Sequence, residues 1–289
     1  MMRRQMPEKY DPSESTVKQD REEQIMEFLY PDWKKKAQTF SYDDGQIYDR
    51  RLVEIFNKYG LKGTFHLNSG TVGKPEFVEP GELCSLYEGQ EIACHGVEHR
   101  HVLQLCSSQQ LREVWEDRAA LEKMTGRMIR GMSYAFGEYS EDFIRTAEAA
   151  GIRYSRTVRS THSFALPADF MQWHPTMHHN EGILEKLEKF RSIPGYEKMP
   201  LFYVWGHSFE FERENTWELI ETFAREASGD PDTWYASNGE ICEYVTALRN
   251  VEMSAGLDRM YNPSALPIYY TASGKNYVCR PGEERRTEE

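Results

Sequence analysis

From Lys36 onward, short runs rich in β-forming apolar residues alternate with longer stretches whose apolar positions recur at helical spacing. The short runs are 37–42 (AQTFSY), 63–68 (GTFHLN), 91–95 (EIACH), 129–134 (IRGMSY), 152–158 (IRYSRTV), 169–173 (DFMQW) and 201–207 (LFYVWGH), with a shorter one at 234–237 (WYAS). Helices are predicted between them at 48–59, 107–125, 140–150, 181–190, 216–226 and 238–248. Ser107 and Ser140 stand where N-caps belong, and Gly60, Gly126 and Gly151 where C-caps belong. Strand–helix alternation of this kind predicts parallel βα units in an α/β fold, and seven or eight strands predict a barrel.

The ends of the chain break the pattern. Residues 1–32 are polar and charged with one apolar patch, Ile25 to Tyr30, and read as an extended arm ending in a helical turn. After about Val251, two β-like runs flank a Ser-Gly turn signal, which predicts a small β appendage over 251–289 beside a barrel over 33–250.

Composition narrows the function. With 39% hydrophobic and 13% aromatic residues over 289 positions, the chain can bury a core, and no run of about 18 apolar residues predicts a membrane span. The first 24 residues contain no apolar leader stretch, so a cytoplasmic location is expected. Five cysteines without CxxC spacing argue against a disulfide framework and a cysteine zinc site. A net charge of −12 with no basic block beyond Lys34 to Lys36 argues against nucleic acid and favours a neutral or cationic ligand.

The ionisable residues with chemical promise share one address. Asp43 and Asp44 end the first strand, His95 ends the third and His207 ends LFYVWGH, and the carboxyl ends of barrel strands meet on one face. Adjacent carboxylates on a strand point apart, which suits one on a metal and the other beside it; Gly45 lets the chain turn out of the strand. His95 and His99, four apart, share a face if they lie on a helical turn. Two imidazoles and a carboxylate leave a coordination position for water, the layout of catalytic zinc. Asp-Asp-Gly is also common in ordinary loops, so the case rests on the motifs together. His101 projects from another side and is not in this set.

The ordered series TFSYDDG, KYGLKGTFHLN, CHGVEHRHVLQL, GMSYAFGEYS and VWGHSFEF resembles the polysaccharide deacetylases, the NodB-homology or carbohydrate esterase family 4, over roughly 36–250. The resemblance implies a distorted (β/α) barrel and metal-assisted hydrolysis of an acetamido group on a carbohydrate. It makes Asp43 the catalytic base, Asp44, His95 and His99 the ligands of a divalent ion (zinc, with cobalt, manganese or nickel as alternatives), and His207 the acid that protonates the leaving amine. The Phe136 amide falls at the oxyanion position. Ser133 stands where the family segment carries arginine, leaving Arg130 or another cation to hold Asp43. Asp169 and Phe170 fall where an Asp-aromatic pair lines the groove and orients the acid, with Trp173 sharing that role. Tyr134, Trp173, His174 and Trp205 either stack on sugar rings or pack in the core, and His178 and His179 carry the same alternatives. Glu210 either orients His207 or faces solvent. Two other readings compete: an amidohydrolase of a small non-sugar amide such as a ureide, and a non-catalytic carbohydrate-binding barrel.

Overall fold

The computed structural model describes residues 26–288, so most of the expected arm lies outside the described residues. In chain order the elements are β1 (Met26–Leu29), β2 (Lys36–Asp44), α1 (Asp49–Tyr59), β3 (Gly63–Leu67), α2 (Leu83–Leu86), β4 (Glu91–Cys94), α3 (Ser107–Thr125), β5 (Gly131–Ser133), α4 (Glu141–Ala149), β6 (Tyr154–Arg156), β7 (Met177–His178), α5 (Ile183–Arg191), β8 (Leu201–His207), α6 (Ser208–Arg213), α7 (Trp217–Ala227), β9 (Thr233–Tyr235) and α8 (Asn238–Arg249). Strands β2 to β9 form one all-parallel sheet in the order β6-β5-β4-β3-β2-β8-β7, with β9 pairing the start of β2. The sheet curls into a distorted barrel whose edges are tied by one run: Trp173 bridges Arg156 on β6, and Met177–His178 pairs with β8.

Side-chain alternation on β2 shows why the barrel forms. Phe40 and Tyr42 face the helices and pack on Phe56 and Phe211, with ring centroids 4.7 and 6.0 Å apart. Each such buried aromatic contributes about 1.5–3 kcal/mol. Thr39, Ser41 and Asp43 point the other way into the lumen, where Thr39 binds Asn238 and Ser41 binds Arg156. The lumen is therefore polar and hydrogen-bonded, and the apolar layer lies between sheet and helices.

Several expectations need correction. The run 169–173 is a 3-10 turn, Phe170–Gln172, because Asp169 caps it by accepting from the Met171 amide at 2.8 Å. The strand missed in sequence, β7, has only two residues, too few for a periodic signal. The N-cap of α3 is Cys106, whose amide donates to Gln109 Oε1 at 3.1 Å, one residue before the expected Ser107. Ser140 caps α4 as expected, accepting from the Phe143 amide at 3.2 Å.

The apolar patch before Tyr30 forms the extended strand β1, since a partner edge is available to it, and the expected helical turn follows as the 3-10 turn Pro31–Trp33. That partner is β12 (Ile268–Ala272). The region after α8 also holds β10 (Glu252–Met253), β11 (Arg259–Tyr261), β13 (Lys275–Cys279) and β14 (Glu284–Arg286). They make two three-stranded antiparallel sheets, β1-β12-β13 and β10-β11-β14, and Ser273-Gly274 turns the β12–β13 hairpin with both residues left-handed. No helix among the described residues is long and apolar enough to cross a membrane.

Candidate active site

The carboxyl ends of β2, β4, β5, β6 and β8 bring Asp43, Asp44, His95, Ser133, Arg156 and His207 to one mouth. Asp43 and Asp44 part company there. Asp43 continues the strand alternation into the lumen and is buried, whereas Asp44 takes φ +80° and stays partly exposed. Gly45 follows at φ +67°, where a Cβ would stand 2.7 Å from a Leu67 methyl, so only glycine lets the chain leave the strand so tightly. His99 (φ +53°) and Phe136 (φ +57°) are left-handed as well. Such backbone costs about 1–3 kcal/mol per residue and persists where the surroundings hold it, commonly at functional sites.

His95 and His99 meet across a loop, not along a helical turn: β4 ends at Cys94, and the left-handed His99 brings the rings to 4.7 Å between centroids. The loop is pinned from two sides. Asn68 Nδ2 donates to the carbonyls of His95 and Gly96, both at 2.7 Å, and buried Asp117 accepts from the amides of both residues at 3.0 Å. Burial pushes the Asp117 carboxyl up to about 6 against the pull of these N–H groups.

One chain of hydrogen bonds fixes the His95 tautomer. Burial would raise the Asp43 carboxyl, but the Arg156 guanidinium, with His95, His66 and His207, outweighs it and holds Asp43 well below the usual carboxylate range. Ionised Asp43 can only accept, so the Ser133 hydroxyl spends its proton on Asp43 Oδ1 at 3.0 Å. Ser133 Oγ must then accept from His95 Nδ1 at 2.7 Å, with the Ser133 carbonyl sharing that proton at 3.0 Å. His95 Nε2 is left as a bare lone pair. It is buried, has no hydrogen-bond partner among the described residues, and faces Asp44 Oδ1 at 3.6 Å. His99 Nε2 lies 3.8 Å from the same oxygen. Burial, with His95, lowers His99 against the pull of Asp44 and Asp43, keeping that ring neutral as well. One bare imidazole nitrogen, a second imidazole nitrogen and one carboxylate oxygen converging, all within 4.8 Å, is the donor chemistry a divalent ion needs, so the residues present fit one.

Arg156 is the residue the sequence reading missed. It is wholly buried, pairs with Asp43, donates to Ser41 Oγ at 3.0 Å and to the Thr157 carbonyl at 3.1 Å, and stacks on Trp205 at 4.4 Å. Arg130 is half-exposed and pairs with Glu243 at 2.9 Å, so it does not hold Asp43. A signal was present, since an arginine between Ser and Thr inside a predicted parallel strand has no solvent to face and must meet an anion.

His207 ends β8 with Nε2 4.0 Å from Asp44 Oδ2, and its Nδ1 makes a 3.4 Å ion-pair contact with Glu210. Burial disfavours its charged form, but Glu210, Asp43 and Asp44 outweigh that and raise it. Glu210 therefore faces the acid candidate and not solvent. Trp205 is buried beneath the mouth, with its indole N–H unpartnered among the described residues. Phe136 is exposed and stacks on His101 at 3.8 Å.

Other candidates lie elsewhere. Tyr134 is a core residue, packed on Tyr139 and Phe143 with its hydroxyl on the Met171 carbonyl at 2.8 Å. Trp173 is buried among Tyr154, Phe170 and Tyr203. Both lack the exposure a sugar-stacking residue requires. Asp169 spends its carboxylate on the Met171 amide and, at 3.1 Å, on Gln172 Nε2. His174 binds the Thr157 hydroxyl at 2.6 Å.

The polysaccharide deacetylase family model matches residues 31–155. YxkH of Bacillus subtilis (strain 168), provisionally named a polysaccharide deacetylase, is 22% identical over 125 residues, 43% of this chain and 45% of that relative, so the match spans less than half its length. A Mycobacterium smegmatis structure, also provisionally named a polysaccharide deacetylase, superposes with TM-score 0.60 at 19% identity, covering 77% of this chain and 94% of that one. A variant of BA3943, described as a CE4 family pseudoenzyme with restored enzymatic activity, superposes with TM-score 0.51 at 17% identity, covering 75% and 70%. The motif series, the matched segment 31–155 and the barrel agree, and the resemblance of this chain to the polysaccharide deacetylases is shown.

Proposed function

We propose that this chain is a metal-dependent hydrolase that removes acetyl groups from an N-acetylated carbohydrate by cleaving the amide C–N bond. The observation that carries the reading is the bare, buried Nε2 of His95, its tautomer fixed by Ser133, converging with His99 and Asp44 beside an ionised Asp43. Asp44, His95 and His99 would hold the ion, zinc or alternatively cobalt, manganese or nickel. Such an ion supplies Lewis acidity, acidifying water toward neutrality and polarising a carbonyl.

Asp43 takes the proton of the attacking water. Held low by Arg156, it is in the ionised form that a base requires. The Phe136 amide, at its left-handed turn beside His99, would donate to the developing oxyanion, a kind of contact worth about 3–4 kcal/mol. His207, raised by the surrounding carboxylates, protonates the departing amine. The exposed ring of Phe136 would border the sugar.

The test is acetate release from chitooligosaccharides, acetylated xylan, peptidoglycan fragments and acetylated monosaccharides, with and without added metal. Metal-stimulated release from an N-acetylated member is the expected result. Inactivity on all of them alongside ureide hydrolysis would move the assignment to a small-amide hydrolase, and saccharide binding with no turnover would make the chain a binding barrel.

A further inference from the structure

The turn that carries Phe136 is gripped by the residue two positions after His99. Phe136 stands at φ +57° in the 3-10 turn Ala135–Gly137, with its ring half exposed. The His101 imidazole lies flat on that ring, 3.8 Å between centroids and 9° between planes, and its Nδ1 donates to Glu138 Oε1 at 2.9 Å. Residues 136 and 138 of one turn therefore hold a single imidazole, the first by stacking and the second by a hydrogen bond.

Both ends of this clamp are anchored. The His101 carbonyl accepts from the Gln104 amide at 3.0 Å, and Gln110 Nε2 on α3 donates to the Val102 carbonyl at 2.8 Å, which ties the chain beside His101 to a long helix. On its other side the turn abuts Val158, which a Cβ on Gly137 (φ +70°) would strike. The amides of Gly137 and Glu138 close the turn on the carbonyls of Tyr134 and Ala135, at 2.8 and 3.1 Å, and the Phe136 amide takes no part in it. The Phe136 ring also meets His99 edge to face, 4.3 Å between centroids.

We infer that His101 is a positioning residue that clamps the Phe136 turn to the loop carrying His95 and His99, and so fixes the direction of the Phe136 amide. Left-handed backbone at a residue other than glycine persists only where its surroundings hold it, and the stack on His101 with the Glu138 bond supplies that hold. The inference rests on the reading of the Phe136 amide as the oxyanion donor. Such a donor acts because it is already in place when the charge develops, so a displacement of about 1 Å forfeits much of its effect. His101 stays outside the ligand set, as its place in the sequence suggests, but its ring and its Nδ1 are both engaged at the site's edge.

The test compares His101→Ala, His101→Phe and Glu138→Ala, reading bound metal, kcat and the ¹⁵N order parameter of the Phe136 amide in each. Wild type should show a rigid amide with an order parameter of about 0.85, falling toward about 0.6 in His101→Ala. His101→Phe keeps a flat ring on Phe136 and should recover part of that order, and Glu138→Ala, which keeps the stack, should lose less than His101→Ala. Bound metal should be unchanged throughout. With KM little altered, kcat should fall about 10- to 100-fold in His101→Ala, and equally for an N-acetyl saccharide and an aryl acetate, because both pass through an oxyanion. Should His101→Ala fail to fold, His101→Phe and Glu138→Ala carry the comparison, each expected to lower the order parameter in part. An unchanged order parameter in every folded variant overturns the proposal. So does loss of metal, which would make His101 a brace of the ligands, and so does a fall confined to the N-acetyl saccharide, which would place it on the protonation step. Lost amide order with kcat intact on both substrates upholds the clamp and refutes the oxyanion reading of Phe136.

Discussion

Two clusters of histidines around a carboxylate flank His207, and they have nearly the same composition. Around Asp44, His95 presents a bare Nε2 because its Nδ1 gives a proton to Ser133. Around Glu210, His178 presents a protonated Nε2 because its Nδ1 receives one from the Asn180 amide. The distances run the other way from naive expectation, 3.6 and 3.8 Å in the first cluster and 3.1 and 3.3 Å in the second. The Asp44 spacing leaves room for an ion, whereas at Glu210 the 3.1 Å contact is to the protonated Nε2 of His178 and His179 Nε2 has no hydrogen-bond partner among the described residues. The partner of the far nitrogen therefore decides what a histidine cluster does, and counting residue types cannot.

The sharpest way to break this contrast is to count ions. Purified protein should carry about one divalent metal per chain. His95→Ala and His99→Ala should each lose it, since each removes one of three protein ligands, while His178→Ala should keep it, as elemental analysis would show. Retained metal in the first two with loss in the third would exchange the roles of the clusters. The next largest effect is expected at Asp43. Asp43→Asn should keep the metal and lower turnover by about two to four orders of magnitude, the range of a positioned base. Metal loss in that variant would mean that the two aspartates have been assigned in reverse.

Arg156 is a buried charge that sets the state of its neighbour Asp43. Arg156→Met should destabilise the fold by about 3–5 kcal/mol in chemical denaturation at neutral pH, because it leaves Asp43 buried and unpaired. The pH dependence has a definite sign. Asp43 is held below the roughly 3.9 of an unfolded aspartate, so the pair stabilises fully above that value and is lost as pH falls through the lower, folded one. Without Arg156, burial dominates and Asp43 takes up a proton at higher pH. The variant's deficit should then shrink toward low pH, and a deficit independent of pH would show that the lost contacts are those with Ser41 and Trp205.

How much was legible in the sequence follows the same division. The barrel strands other than the two-residue β7, and all but the shortest helices, were readable, because each carries enough residues for periodicity to register. Asp43, Asp44, His95 and His207 were readable because strand ends announce themselves, and His99 through its spacing from His95. What could not be read was contact across the barrel. Arg156 meets Asp43 over 113 residues of sequence separation, and the Arg130 alternative was favoured by nearness to the motif alone. The 169–173 run has a β-like composition, yet Asp169 bonds its own following amide and turns the chain. Tyr134 and Trp173 were drawn toward the site by residue type, and only packing shows that they face away from it.

The smallest effect in the series tests the tautomer argument most directly. Ser133→Ala removes the hydroxyl that links Asp43 to His95 Nδ1, but it spares the Ser133 carbonyl, which stands 3.0 Å from the same nitrogen and can take the whole of its proton. The His95 ring should therefore keep Nδ1–H, and metal affinity should fall by about tenfold, the low end for loss of an outer contact on a ligand. Asp43 loses one donor and keeps Arg156, so it stays ionised. Metal titration of the apo protein reads the affinity, and ¹⁵N shifts of His95 read the tautomer. If the ring instead turns to Nε2–H and binding collapses, the hydroxyl alone sets the tautomer and the carbonyl contact is incidental. If nothing changes, the carbonyl suffices, and Ser133 matters at this position for the arginine it replaces and the space it leaves for Arg156.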